Sequence, residues 1–153
     1  MAADGKCVSF RSFDGCIGTA DAREHTLLLS ICRALADSDG ITVGRCVIDL
    51  ARVYAESQDK QFSGTSTDAF CIAITELTAA VTARSDAADG LEYVDIVSSL
   101  KESQDAMFRF GIQVNPQLYV LAGIVLLAAR NIQQRAPDFD LLDAVGMALV
   151  DII

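Results

Sequence analysis

The fold of this chain is decided by PQLYVLAGIVLLAARN, residues 116 to 131, in which twelve consecutive residues, Leu118 to Ala129, carry no charged or strongly polar side chain. A helix of that length rises about 18 Å, whereas a membrane core is about 30 Å thick and needs about twenty residues. The run therefore predicts a buried helix, about 116–133, that is apolar on every side and surrounded by other helices. A membrane-inserting hairpin or tail is the alternative.

Length and charge narrow the class of protein. The chain has 153 residues and is 52% hydrophobic, which is enough for one domain with a single core. Its net charge of −9 repels phosphate backbones, so nucleic-acid binding is not expected. The opening segment MAADGKCVSF contains an acid and lacks a continuous apolar stretch, so no secretory signal is expected.

Apolar residues at helical spacing predict an all-α, single-domain bundle of about six helices in residues 21–153, preceded by an extended arm in residues 1–20. In the fourth helix, Val97, Met107 and Phe108 are expected to face inward. Asn115 is expected to cap the fifth. The predicted helices span residues 21–37, about 43–57, 67 to about 84, 91–110, 116–133 and 139–152.

Catalytic and metal chemistry find little support in the sequence. His25 is the single histidine, and its position near a helix start predicts a solvated side chain. The odd cysteine count, without CxxC pairs, predicts reduced intracellular thiols, with a Cys7–Cys16 disulfide as the alternative. No cofactor and no metal ion are expected. The cysteines are Cys7, Cys16, Cys32, Cys46 and Cys71.

The segment DGITVGRCVIDLARVYAES, residues 39–57, resembles the first homology motif of the B-cell lymphoma 2 family of apoptosis regulators. That motif runs D-G-V-N-W-G-R into an apolar helix. Asp39, Gly40, Gly44 and Arg45 match it, whereas two residues between them depart from the family's Asn and Trp. A second placement aligns FRFGI, residues 108–112, directly before the apolar helix.

The resemblance implies a groove that receives an amphipathic helix of a partner protein. Arg45 would pair with an aspartate of that helix, and Gly44 would permit close backbone approach. Val47 and Leu50 complete the implied partner-binding set, and Arg109 belongs to the second placement. Without the resemblance, Arg45 is an ordinary surface residue and Gly44 a turn residue.

The sequence thus predicts a non-enzymatic, cytoplasmic interaction module that resembles an apoptosis regulator of cellular or viral origin. A viral protein of this kind would act in the host cell. A self-assembling scaffold subunit of viral or bacterial origin is the alternative, in which surplus aliphatic residues form subunit contacts. An amphipathic helix is the expected partner, membrane binding is not expected, and homodimerisation stays open.

Overall fold

The computed structural model describes residues 22–63, 66–85 and 93–138, which are all-α and contain no strand. Five of the six predicted helices are confirmed. The sixth, 139–152, and the arm, 1–20, lie outside the described residues. The helices are α1 (Ala22–Ala36), α2 (Gly40–Ser57), α3 (Thr67–Ser85), α4 (Tyr93–Arg109) and α5 (Gln117–Arg135).

A tight turn joins α1 to α2. Ser38 adopts a left-handed conformation (φ 57°), and the Asp39 N–H donates to the Ala34 carbonyl (2.8 Å), which closes α1 with a Schellman motif. The Asp39 carboxylate then accepts from the Thr42 N–H (3.1 Å) and caps α2. This second helix therefore begins at Gly40, about three residues earlier than predicted, because the SDG segment is both a helix end and a helix start.

Helix α2 lies between α1 and α3, and among the described helices it buries the most residues. Its approach to α3 is close at Gly40, where an added Cβ would lie 2.5 Å from the Thr75 Cα. At Gly44 an added Cβ would lie 3.0 Å from the Cys71 Cα. Two glycines four residues apart thus form a groove on α2 into which the backbone of α3 fits.

The inward face of α4 differs in part from the prediction. Met107 is buried as expected, but Val97 and Phe108 are exposed, and Ala106 is buried in their place. Phe110, just beyond the helix, packs edge-on against Phe70 with ring centroids 5.9 Å apart. Since successive helical residues are about 100° apart, a helix that buries Ala106 and Met107 turns Phe108 toward solvent.

Helix α5 is confirmed. The side chain of Asn115, which precedes Pro116 at the start of this helix, accepts a hydrogen bond from the Gln117 N–H (3.1 Å). Its buried face includes Leu121 and Val125. Burial on every side is not found, because Val120 and Leu127 are 52% and 54% exposed. Among the described helices, none is long and apolar enough to cross a membrane.

Candidate functional site

A groove with a volume of about 530 Å³, whose surface is more apolar than polar, lies where α2, the start of α5 and the end of α4 meet. The segment between α4 and α5 forms one wall, and it is held in place by a Schellman motif in which Gly111 has φ 66° and the Ile112 N–H donates to the Met107 carbonyl (2.8 Å). The groove is lined by Tyr54, Gln104, Asp105, Met107, Phe108, Ile112, Gln113, Val114, Pro116 and Tyr119.

Three aromatic residues, Tyr54, Phe108 and Tyr119, line the groove together with Met107. Phe108 stands on its rim and is 87% exposed. Inside, the hydroxyl of Tyr119 donates a hydrogen bond to Sδ of Met107 (3.9 Å), and burial raises the pKa of Tyr119 above its ordinary value. Exposed aromatic rings beside flexible methionine side chains are typical of surfaces that bind other proteins.

A second, smaller depression of about 350 Å³ adjoins the groove between α3 and α4. Its charged side chains are the carboxylates of Glu76, Glu102 and Asp105 and the guanidinium of Arg109, all on exposed residues. Asp105 lines both depressions. We call these three carboxylates, which exceed the local positive charge by two, the acidic shelf.

The predicted partner-binding residues of α2 lie elsewhere. Gly44 is buried against Cys71 of α3, and Arg45 is exposed beside that contact. Hydrogen bonds from Thr42 lower the pKa of Asp39, and the positive charge of Arg45 lowers it further. Arg45 precedes Tyr54 by nine residues, so at about 100° per residue the two side chains leave opposite sides of α2. Arg45 therefore does not line the groove.

The remaining predicted residues are divided between core and surface. Leu50 is 3% exposed and lies in the core, so its side chain offers no surface to a partner in this conformation. Val47 is partly buried and packs against the same core. Arg109 is exposed next to the groove, and of the predicted set it alone lies beside Phe108.

Sequence reasoning does not identify three groove residues, Tyr54, Phe108 and Tyr119. It predicts that Phe108 faces inward and that Tyr119 belongs to the buried apolar run. The signal that could have identified Phe108 is the FRF triplet. Two aromatic residues separated by one arginine cannot both face the core of a helix, and Phe110 is the one in the core cluster.

Comparison of the chain with protein-family models, curated proteins and solved structures found no match. Within the described ranges, no group of three or more histidine, cysteine or acidic residues could hold a metal ion. Cys32, Cys46 and Cys71 are free thiols, as predicted, whereas Cys7 and Cys16 lie outside the described residues.

The prediction of a solvated His25 is wrong in part. Its Nε2 atom is buried and has no hydrogen-bond partner among the described residues. The neighbouring Glu24 is 4% exposed. The first turn of α1 is therefore packed against the protein, since the stripe that carries Leu28 and Ile31 into the core also turns this end of the helix inward.

Proposed function

We propose that this protein is a non-catalytic interaction module that binds an amphipathic α-helix of a partner protein in the groove between α2, α4 and α5. The exposure of Phe108 carries this proposal. A phenylalanine that is 87% exposed beside an apolar cleft leaves a large apolar area in water, and burial by a partner stabilises the complex.

The resemblance to apoptosis regulators supports the same proposal through its second placement. Phe108 and Ile112, the ends of the FRFGI segment, both line the groove, and the apolar helix α5 follows directly. We therefore place the helix-binding site at the 108–112 segment. The module acts inside the cell, where its cysteine thiols stay reduced.

The test is a titration of fluorescently labelled amphipathic helical peptides against the wild-type protein and Phe108→Ala. Removing a central aromatic anchor costs about 2 kcal/mol or more, so affinity should fall at least about thirtyfold while the melting temperature stays unchanged. The matched control is Ile72→Ala, which removes a 62% exposed side chain from α3, outside the groove.

Arg45→Ala and Arg109→Ala separate the two placements of the motif. For a peptide that carries the aspartate implied by the resemblance, loss of its charge-assisted pair would weaken binding about ten- to a hundredfold. Loss in Arg109→Ala alone supports the groove at 108–112, and loss in Arg45→Ala alone moves the site to α2. Absence of binding by every peptide at high micromolar concentration would discard helix recognition.

A self-assembling subunit is the second candidate, because Val120 and Leu127 form an exposed apolar stripe on α5. Residues seven apart lie on one helix face, as a helix–helix contact between copies requires. Sedimentation of the wild type and of Leu127→Asp distinguishes the two functions. A large assembly that Leu127→Asp dissolves would favour the scaffold.

A further inference from the structure

We infer that the partner helix is basic, with lysine or arginine side chains beside its apolar face. This inference rests on the proposed function and identifies the chemistry of its partner. The groove lining contains one charged side chain, Asp105, and no lysine or arginine. A helix whose apolar side chains enter the groove must therefore bring a positive charge or a hydrogen-bond donor to the Asp105 carboxylate at the edge of the groove.

The acidic shelf extends this negative charge away from the groove. Glu102 and Asp105 are three residues apart on α4, so they lie on one face, and Glu76 of α3 lies opposite them. Arg109 supplies the only positive charge among the residues that line the shelf. Asp105 makes no ion pair among the described residues, so its carboxylate can accept a new partner.

The arrangement matches an amphipathic helix in register. Asp105 and Phe108 are three residues apart and lie about one turn from each other on α4. A bound helix whose apolar residue packs on Phe108 would bring a residue three or four positions away over Asp105 and Glu102. Lysine and arginine suit that position, because their aliphatic stems cover apolar surface while their charges reach the carboxylates.

Charge also argues against two other occupants of the groove. Residues 139–153 of this chain contain three aspartates and no lysine or arginine, so the acidic shelf would repel them. A second copy of the chain carries a net charge of −9 and is repelled in the same way. A basic helix from a different protein is attracted at long range and at contact.

The experiment uses two labelled helical peptides with the same leucine and phenylalanine anchors, one with lysine and the other with glutamate at the flanking positions. Each is titrated against the full chain at low and high salt. The lysine peptide should bind about tenfold or more tightly than the glutamate peptide, and high salt should reduce that preference. Asp105→Lys should reduce it about threefold or more, whereas Asp37→Lys, an exposed residue of the α1–α2 turn, should leave it unchanged.

Equal affinity for both peptides, or tighter binding of the glutamate peptide, would overturn the basic partner and leave helix recognition intact. Failure of both peptides to bind would overturn the proposed function itself. If the wild type instead forms a dimer that Phe108→Ala dissociates, a second copy occupies the groove and the inference is wrong.

Discussion

Gly40→Ala tests whether the backbones of α2 and α3 touch as described. The new Cβ would lie 2.5 Å from the Thr75 Cα, and carbon atoms in contact prefer about 3.5–4.0 Å, so the helices must separate by about 1 Å. Overpacking of this kind costs about 1–3 kcal/mol. We expect the free energy of unfolding to fall by about 2 kcal/mol and the melting temperature by about 4–8 °C.

Urea denaturation followed by circular dichroism measures the change. Gly123→Ala is the matched control, because no atom of the described residues lies within 4 Å of its added Cβ, and it should stabilise the helix by about 0.5–1 kcal/mol. Adding Thr75→Ala to Gly40→Ala should not restore stability, since the closest atom is backbone Cα. A Gly40→Ala protein as stable as the wild type would refute the close crossing.

Three further outcomes are expected. Val125→Asp places a carboxylate in the core, which should cost several kcal/mol and abolish cooperative melting by circular dichroism; unchanged melting would refute the burial of this face. Asp59 follows the end of α2 in the left-handed conformation (φ 52°). Asp59→Gly should therefore raise the free energy of unfolding, measured in urea, by about 0.5–1 kcal/mol. A free energy of unfolding below that of the wild type would show that the Asp59 backbone is not strained. Burial raises the pKa of Cys32 from 9.0 to about 11, so the folded protein holds that proton more tightly than the unfolded chain. The stability that this thiol contributes is complete below about pH 9 and is lost as the pH rises through about 11. In urea titrations over that pH range, the Cys32→Ala protein should therefore lose less free energy of unfolding than the wild type. Equal losses in the two proteins would contradict the raised pKa.

The helices were predictable because their apolar residues recur at helical spacing. Leu28, Val43 and Ile74 all lie on the faces that their spacing indicates. The boundary at Gly40 was not predictable in the same way, because an Asp-Gly pair signals a turn and a helix start alike. Which side of α2 is closest to α3 depends on where two distant segments meet, and local periodicity does not carry that information.

The groove was harder to predict from the sequence than the helices were. Phe108 and Met107 are adjacent apolar residues, and an apolar stripe could include either, so only the three-dimensional packing shows which one is exposed. Arg45 illustrates the converse. A short motif predicted a binding role for it, and the structure places it across α2 from the groove residue Tyr54. That binding role stays a prediction.

The glycine contact between α2 and α3 also has a consequence for slow motions. Backbone that packs directly on backbone cannot be loosened by a change of side-chain rotamer, so these two helices must open together. Their amide protons should exchange with solvent water last, at rates set by global unfolding. Helix α5 has no comparably extensive contact with another described helix. Its amides should therefore exchange earlier through local opening, which would also widen the groove at Tyr119.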